Sequence, residues 1–433
     1  MLCIGIDDTD SPSGMCTTFL AYKTVVLLKR QGVKFLDFPR LIRFNPNIPW
    51  KTRGNGAVSL KIKVQNTDKV KEMVRNLVRR YSDTENGANP GLAFFDGSII
   101  PDAFSKFSDL ALWQLISRSK ARKFATEHGL DFFYQGNGQG LVGAIGAIGY
   151  SFDDHTLELL SYRKRPNFGK KRHITTQSVQ KVHEKIPGTF NSFDEKKRRI
   201  LVAPHGPDPV FYGIRGEDVN SLLQAVDVLK TGEQLDGYMI FKSNQGTGDH
   251  LKNWLDPANL HPYESGRLAG TINTIPNTTR GGHVFFTISV EGEQCRCAVY
   301  KPTGMTHVAS GLIPGDRVCV GGGIRKASKN FPRVLNVEFL DVLELVEDSV
   351  LCNPVCSMCS KSMKSKGIGQ GYQCSVCGKK SAKKQVHFIP RGIKAQLYMP
   401  VVSAHRHLTR PAQRVGRRNT VEFNESASWV CKY

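Results

Sequence analysis

Residues 2–10, Leu2-Cys3-Ile4-Gly5-Ile6-Asp7-Asp8-Thr9-Asp10, join an apolar run to a cluster of three carboxylates. The apolar run predicts a buried β-strand, and the carboxylates follow at its carboxyl end. Three negative charges so close together repel one another unless a cation lies between them, and Mg²⁺ is the ion that carboxylates and phosphate oxygens usually share. The stretch therefore predicts an α/β domain with a magnesium–phosphate site at the end of its first strand.

The residues that follow supply the other half of such a site. Ser11-Pro12-Ser13-Gly14 predicts a turn, and Thr17-Thr18 begins a helix expected at about residues 18–30. A helix N-terminus presents unpaired N–H groups and a partial positive charge to a phosphate. Carboxylates for a metal and amides for an anion together indicate phosphoryl transfer. Asp-rich turns and Ser or Thr caps are also common in purely structural roles, which is the alternative interpretation of these residues.

Two glycine-containing loops are candidates to complete the site. Lys51-Thr52-Arg53-Gly54-Asn55-Gly56 places two cations beside glycines before a predicted strand, which suits phosphates; an exposed turn is the alternative. Gly138-Gln139-Gly140-Leu141-Val142-Gly143 has the spacing of a dinucleotide-binding loop, but no suitable strand precedes it and no acid follows at the required place. We interpret it as a nucleotide-cradling loop, and tight helix packing is the alternative.

Strand and helix patterns divide the chain into successive domains. Residues 1–154 alternate strands and helices, as expected of an α/β catalytic domain. Residues 155–255 have the strand–helix–strand–helix–strand pattern of a small ferredoxin-like domain. Residues 266–346 show short alternating strands, Gly-rich turns and no helix signal, which favours an OB-fold barrel over an SH3-like barrel or small sandwich.

Four cysteines predict a zinc ribbon over residues 350–390. Cys356-x2-Cys359 and Cys374-x2-Cys377 are separated by fourteen residues that include Gly367, Gly369 and Gly371, which suit a hairpin. Two Cys-x2-Cys turns present four thiolates to one Zn²⁺ in a tetrahedron. Four sulfurs leave no open position on the ion, so we expect a structural role.

The charge of the chain is strongly skewed towards its C-terminal end. The net charge is +22, and residues 351–433 contribute 15 Lys and Arg against two acids, or +13. Such a concentration of positive charge favours a nucleic-acid partner. Residues 391–433 form a basic C-terminal tail that is either an arm for RNA or a loose extension.

The composition also bears on compartment and class. No apolar run approaches the length of a membrane span, and no leader pattern precedes the first strand. An odd number of cysteines, eleven, with four in metal-site spacing, favours a reducing cytoplasm over a disulfide framework.

Several sequence blocks together resemble the archaeal tRNA-isoleucine 2-agmatinylcytidine synthetases. The resemblance covers nearly the whole chain, and that family combines a kinase-like domain, a ferredoxin-like domain, an OB-fold and a zinc ribbon in the order deduced above. Two places depart from the family: Ser357 and Ser360 replace a Pro and a Gly of the first cysteine knuckle, and Gly248 stands where an acid commonly follows the threonine. The blocks that carry the resemblance are Ile4–Asp10, Gly14–Thr18, Pro39–Arg43, Lys51–Ala57, Tyr212–Gly216 and Gly281–Phe286.

The resemblance implies an ATP-dependent ligase that joins agmatine to carbon 2 of the wobble cytidine of the isoleucine tRNA with a CAU anticodon. It implies a phosphorylated cytidine intermediate, AMP as the end product of ATP, and a tRNA that decodes AUA. The expected ions are Zn²⁺ and Mg²⁺, and the resemblance implies that Asp7 and Asp8 bind the Mg²⁺. Carried over by position, the site consists of catalytic Asp7, Asp8, Asp10 and Thr18, of Lys51, Arg53, Asn55, Gly138 and Gly140 around the ATP phosphates, and of Ile214 and Arg215 near agmatine and the base.

Two other classes of protein share parts of this pattern. A single-stranded nucleic-acid-binding protein would need the barrel and ribbon but not the three acids at the first strand. A small-molecule kinase would need the acids but not a basic region of +13. The presence of both in one chain favours the RNA-modifying enzyme.

Overall fold

The computed structural model describes residues 1–329 and 331–433 and divides into two compact units. The first unit comprises Met1–Arg267, Gly321–Val334 and Met399–Tyr433, and the second comprises Leu268–Val320 and Leu335–Tyr398. Within the described residues, none of the helices combines the length and the apolar character needed to cross a membrane.

The N-terminal part of the first unit alternates strands and helices, as predicted. Its strands lie in the order β6-β5-β1-β4-β3, each antiparallel to its neighbour, so β1 lies in the middle and delivers Asp7 at its end. The elements are β1 (Leu2–Asp7), α1 (Thr17–Arg30), β2 (Lys34–Phe35), β3 (Arg40–Arg43), β4 (Gly56–Lys63), α2 (Thr67–Tyr81), β5 (Gly91–Asp96), α3 (Asp102–Trp113), α4 (Arg118–Glu127), β6 (Asp131–Tyr134) and α5 (Gly140–Gly149).

Helix α2 shows why these residues form these elements. Asn66 caps it by accepting a hydrogen bond from the N–H of Lys69, and Val70, Val74 and Val78 are buried at four-residue spacing. The apolar stripe packs on the sheet while the polar face remains exposed, as in an amphipathic surface helix.

The next part of the first unit has the ferredoxin-like strand order. Strands β12, β7, β11 and β8 lie side by side and antiparallel, which is the order 4-1-3-2 of a βαββαβ unit. A parallel pairing of β12 with β3, Lys242 opposite Arg40, joins this part to the first in one eleven-stranded sheet. The elements are β7 (Thr156–Arg163), α6 (Thr176–Lys185), β8 (Thr189–Phe190), β9 (Phe193–Asp194), β10 (Arg199–Ile200), β11 (Val210–Gly216), α7 (Val219–Val228) and β12 (Leu235–Ser243).

The barrel has OB-fold topology. Its path β13-β17-β18-β16-β15 closes through a further pairing of β13 with β15, and β16 runs parallel to β18. The expectation that this region lacks helix is wrong, because the five residues of α8 form a helix too short to give a periodic pattern. The elements are β13 (Ser265–Ile272), β14 (Asn277–Thr278), β15 (Val284–Val290), β16 (Glu293–Val299), α8 (Thr306–Ser310), β17 (Arg317–Arg325) and β18 (Val334–Glu344).

The ribbon follows the barrel, and the chain then returns to the first unit. Residues 399–433, here called the C-terminal segment, are not a loose tail: Trp429 is 0% exposed, and β25 pairs with β12. The remaining strands are β19 (Asp348–Cys352), β20 (Lys364–Ser365), β21 (Tyr372–Gln373), β22 (Lys380–Ser381), β23 (Gln385–Ile389), β24 (Leu397–Tyr398) and β25 (Val430–Lys432).

Candidate active site and zinc site

A cleft of about 480 Å³ in the first unit collects most of the predicted site residues. It is lined from the end of β1, the start of α1, the loop before β4, the residues before and within β11, and the C-terminal segment. The predicted residues among its walls are Asp7, Asp8, Asp10, Thr18, Lys51, Arg53, Asn55 and Arg215.

The three carboxylates of the first strand lie together in the cleft and are poorly solvated. Burial, reinforced by the charge of Asp8, raises the pKa of Asp7 well above its usual value. Burial, reinforced by Asp10, raises the pKa of Asp8 to about 7. Such carboxylates have lost water without gaining enough positive charge, and oxygen ligands of this kind are those that Mg²⁺ prefers. The residues present therefore fit a divalent cation.

Asp8 and Asn55 have backbone conformations that are unusual outside glycine. Their φ angles are +54° and +48°, in the left-handed region. A non-glycine residue in that region carries a conformational cost, and such residues cluster at functional sites. The side chain of Asn55 fixes its loop by donating from Nδ2 to the carbonyl of Asn45 at 2.8 Å.

A close contact with helix α5 fixes Asp7. An added Cβ at Gly143 would lie 1.9 Å from Oδ2 of Asp7, so only glycine leaves room for the carboxylate. Gly140 plays a similar part for the backbone, because a Cβ there would lie 2.5 Å from the N of Gly91 and 2.6 Å from the carbonyl oxygen of Asp7. The alternative of tight helix packing is thus what the structure shows for Gly140.

Not every predicted residue reaches the cleft. Gly138 and Gly140 do not line it, whereas Gln139, Val142 and Gly143 do. Ile214 is fully buried in the apolar core, because alternate residues of β11 face opposite sides of the sheet and its neighbours Gly213 and Arg215 face the cleft. The sequence placed Gly138, Gly140 and Ile214 at the ligand. The structure does not bring these three residues to the lining of the cleft.

The N-terminus of α1 brings Thr18 to the cleft. The Thr18 hydroxyl lies 3.1 Å from Sγ of Cys16, and the hydroxyl of Tyr162 donates to the Thr18 carbonyl at 2.9 Å. Thr17 is held by a hydrogen bond from the Thr9 hydroxyl at 3.1 Å. The first turn of the helix is thereby fixed next to the carboxylates.

Arg53 ties the cationic loop to the acidic turn. Its guanidinium donates to the carbonyls of Met15 and Ser11 at 3.0 Å each and lies 3.1 Å from Oδ2 of Asp10. Asp10 also accepts a hydrogen bond from the Thr52 hydroxyl at 3.0 Å. Arg53 is therefore part of the framework of the site as well as a source of positive charge.

Lys51 is a more available cation of the same loop. Burial, and then repulsion from Arg406, lowers the pKa of Lys51. A cation held close to other cations is stabilised by an arriving anion such as a phosphate.

The sequence patterns do not predict a buried polar network that lies on the ferredoxin-like side of the cleft. Glu158 lies 3.7 Å from Arg43 and 3.4 Å from Arg215, and it accepts a further hydrogen bond from Gln245. Arg215 donates to Nδ1 of His407 at 2.8 Å. The same Nδ1 lies 2.9 Å from Oε1 of Gln245, so the His407 ring joins Arg215 to Gln245.

His407 is contributed by the C-terminal segment and lines the cleft. Burial, with Arg43 and Arg215 nearby, holds the pKa of His407 well below its usual value, so the imidazole is neutral. Nothing in the local sequence around His407 indicates this position, because its partners lie at least 160 residues away.

Asp208 is a second functional candidate that the sequence patterns did not indicate. It lines the cleft and is 2% exposed. The neighbouring Gly206-Pro207-Asp208-Pro209 resembles an ordinary turn, so only the burial of Asp208 in the folded chain sets it apart.

The four cysteines of the ribbon come together as predicted. One sulfur from each of Cys356, Cys359, Cys374 and Cys377 lies within 4.8 Å of the others, which fits a tetrahedral zinc ion. Backbone N–H groups of Met358 and Cys359 lower the pKa of Cys356 to about 6, which favours the thiolate. Ser360 has a φ of +51°, the left-handed turn expected after the second sulfur.

Protein-family models match three parts of the chain. They are described as the TiaS TCKD domain, matching residues 3–69, the TiaS FLD domain, matching residues 138–250, and the TiaS C-terminal zinc ribbon domain, matching residues 353–393. The cleft residues from β1 and β11 and the four cysteines lie within these ranges.

Curated relatives share the full length of the chain. A protein of Cenarchaeum symbiosum, named as the isoleucine-tRNA 2-agmatinylcytidine synthetase TiaS, is 50% identical over 429 residues, which cover 99% of this chain and 96% of the relative. The protein of the same name from Pyrococcus horikoshii is 37% identical over 95% of this chain and 96% of its own.

Solved structures of similar proteins have the same fold. A complex of TiaS with its isoleucine tRNA and ATP superposes with a TM-score of 0.86 at 34% identity, covering 98% of this chain and 99% of that one. A complex of TiaS with the same tRNA, AMPCPP and agmatine superposes with a TM-score of 0.83 at 32% identity, over the same shares of the two chains.

Proposed function

Because the chain belongs to the TiaS family of isoleucine-tRNA 2-agmatinylcytidine synthetases, we propose that it uses ATP to join agmatine to the wobble cytidine of the isoleucine tRNA with a CAU anticodon, here called the CAU tRNA. The amine of agmatine becomes bonded to carbon 2 of the base, and the modified tRNA decodes AUA. We place this activity in the cytoplasm, where mature tRNA and ATP meet.

One observation carries this proposal beyond family membership. Within one cleft, desolvated carboxylates Asp7 and Asp8 lie with the hydroxyl of Thr18 and the cations Lys51 and Arg53. Phosphoryl transfer requires this combination, because a metal and cations neutralise the phosphate oxygens while a nearby group accepts the phosphoryl group.

For the ATP half-reaction, we assign Asp7 and Asp8 to Mg²⁺ and Lys51 to the phosphates. Bound Mg²⁺ offsets the negative charge that the transferring phosphoryl group carries. Arg53 keeps Asp10 and the Ser11–Met15 turn in place, and Asn55 shapes the loop. The Thr18 hydroxyl accepts a phosphoryl group, as the family resemblance implies.

For the RNA half-reaction, we assign Arg215 to the target cytidine. The 2-oxo group of cytosine is a poor leaving group, and its phosphorylation allows it to depart as phosphate when the amine attacks. Glu158 and His407 orient Arg215 at the cleft wall. A cation placed there attracts a phosphorylated base and repels the dicationic agmatine, so Arg215 belongs with the base.

The proposal has a direct test. The protein is incubated with ATP, Mg²⁺, labelled agmatine and a transcript of the CAU tRNA, and the wobble nucleoside is analysed by mass spectrometry. We expect the mass of agmatine less one water to be added to cytidine, with AMP formed in step. A transcript with uridine at the wobble position is the control, and absence of the adduct from both transcripts would refute the proposed function.

A further inference from the structure

Three cations lie on one face of the sheet of the first unit, on neighbouring strands. Arg40 of β3 is paired in register with Lys242 of β12 on one side and with Ser59 of β4 on the other. Lys61 follows two residues after Ser59 on β4 and therefore lies on the same face. Like charges at neighbouring positions of a sheet repel one another, so this arrangement is unfavourable until an anion joins it.

This cluster of three cations is separate from the catalytic cleft. Strand β3 runs from Arg40 to Arg43, and Arg43 lines the cleft whereas Arg40 does not. Three steps along an extended strand separate the two Cα atoms by about 10 Å. Lys61 and Lys242 are also absent from the lining of the cleft. The function proposed above therefore makes no use of these cations.

Arg40 is buried with too few acceptors for its guanidinium. It is 2% exposed, and its Nη2 donates to the carbonyl of Tyr150 at the end of α5. Its Nε and Nη1 donate no hydrogen bond to any residue that the structure describes. Oδ2 of Asp37 lies 3.8 Å from Nε, beyond hydrogen-bond distance. A buried donor without an acceptor is costly, so these atoms point to an acceptor from outside the chain.

The two lysines of the cluster are half-buried and lack a carboxylate partner. Among the described residues, neither Lys61 nor Lys242 has an acid within ion-pair distance of its ammonium group. Lys242 and Arg40 both lie over the ring of Phe152, 5.2 and 4.8 Å from its centroid, and an aromatic ring attracts cations without cancelling their charge. Burial, then the charge of Arg40, lowers the pKa of Lys61, and Lys242 lowers it further. An arriving anion would stabilise all three charges.

The titratable groups around the cluster do not balance it. Asp37 supplies one negative charge against three positive ones. Burial, with Lys242 nearby, lowers the pKa of His155 to about 4, so this imidazole is neutral at pH 7. Asp154 is already paired with Arg410 at 2.8 Å and Arg414 at 2.9 Å. The cluster therefore keeps an excess of positive charge.

We propose that Arg40, Lys61 and Lys242 form a phosphate-binding site of the first unit, distinct from the cleft that takes the ATP phosphates. A phosphate group suits these residues because its several oxygens accept hydrogen bonds from two ammonium groups and a guanidinium together. Such a group reaches the protein either in the backbone of the tRNA or as free phosphate. Both sources share the chemistry that the cluster recognises, and they are told apart by experiment.

The test is the double variant Lys61→Gln/Lys242→Gln of the full-length protein. Inorganic phosphate is the probe, its binding is followed by ³¹P NMR, and the cleft is filled with AMPCPP and Mg²⁺. We expect phosphate to bind the double variant at least about 10-fold more weakly than the parent protein, because charged hydrogen bonds are lost. Lys69→Gln/Lys123→Gln removes two charges from exposed positions of α2 and α4 and is the matched control, with unchanged phosphate binding.

The affinity for the CAU tRNA, measured against salt concentration, distinguishes the two sources. If a backbone phosphate occupies the site, the double variant should bind tRNA several-fold more weakly, with a salt slope reduced by about 1. If the site takes free phosphate, tRNA affinity should be unchanged while phosphate affinity falls. A double variant that matched the parent protein in both measurements would overturn the proposal.

Asp37→Asn changes the charge of the site in the opposite direction. Oδ1 of Asp37 accepts a hydrogen bond from the N–H of Phe38 at 2.9 Å, and the asparagine oxygen retains this contact. Removing the negative charge should strengthen binding of the phosphate source identified above several-fold, whereas a loosened fold would weaken it. Unchanged or weaker binding in Asp37→Asn would contradict the proposal, even if the lysine double variant failed to fold.

Discussion

The zinc ribbon and the catalytic cleft are two sites built in opposite ways. The ribbon takes its four ligands from residues 356–377, and their sulfurs lie within 4.8 Å of one another. The cleft takes its walls from residues as far apart as Asp7 and His407. A site made of neighbouring residues depends on its metal, whereas a site assembled from distant residues depends on the packing of the entire unit.

The two sites also differ in how their surroundings shift the pKa values of the ligand side chains. In the ribbon, local N–H groups lower the pKa of Cys356 to about 6, so the turn of its own knuckle favours the thiolate of this ligand. In the cleft, burial raises the pKa of Asp7 and Asp8, and a bound cation would stabilise their charged forms. We therefore expect damage to the cleft and damage to the ribbon to have separable effects.

The largest effect should come from Asp8→Ala. Losing a metal carboxylate should lower the rate of tRNA modification about 10³-fold, in the range found when an electrostatic contact to a reacting group is removed. Turnover is measured from AMP release, and tRNA affinity by filter binding. Asp68→Ala, at an exposed position of α2, is the control. An equal collapse of tRNA affinity in Asp8→Ala would contradict a division between chemistry and RNA binding.

The next largest effect should come from Arg414→Ala in the C-terminal segment. Arg414 is 1% exposed and pairs with Asp154 at 2.9 Å and Glu217 at 2.6 Å. Its removal takes one of two arginine partners from the buried Asp154 and an ion pair from the partly exposed Glu217, and should cost about 3–5 kcal/mol of unfolding free energy. Urea denaturation measures this, with the exposed Arg418→Ala as the control. Unchanged stability would mean that the first unit does not need this distant segment.

The smallest effect should come from Cys356→Ser. Zinc content should fall from one ion to none, and tRNA should bind about tenfold more weakly with a flatter dependence on salt, because lysines of the ribbon would no longer be presented together to phosphates. ATP binding should be unchanged. Cys352→Ser, just outside the cluster, is the control. A loss of ATP binding in Cys356→Ser would show that the ribbon and the cleft are coupled, against the separation proposed above.

The different construction of the two sites also decides what could be predicted from the sequence. The cluster of four cysteines could be predicted from the sequence, because every determinant lies within one stretch of chain. The strand orders of the ferredoxin-like part and the barrel agree with the predicted folds, since periodicity and turn residues mark the elements. The short helix α8 has too few residues for such a pattern.

Only part of the lining of the cleft could be predicted from the sequence. Asp7, Asp8 and Asp10 stand out because charges that follow an apolar strand are conspicuous in any sequence. Ile214 and Gly140 belong to motifs that also contain residues of the cleft. Strand alternation places Ile214 in the core, and Gly140 packs against the backbone of Gly91 and Asp7. Asp208, Glu158 and His407 become partners of the site only through tertiary packing, which no local pattern encodes.

The return of the C-terminal segment to the first unit has a consequence for synthesis. Asp154 is translated 260 residues and Glu217 197 residues before Arg414, so both acids lack this partner while the barrel and ribbon are synthesised. Closing so long a loop is slow, and the nascent chain meanwhile exposes unpaired carboxylates. A nascent chain on the ribosome at that stage lacks His407 and Arg414, so a tRNA that binds to it meets an incomplete active site.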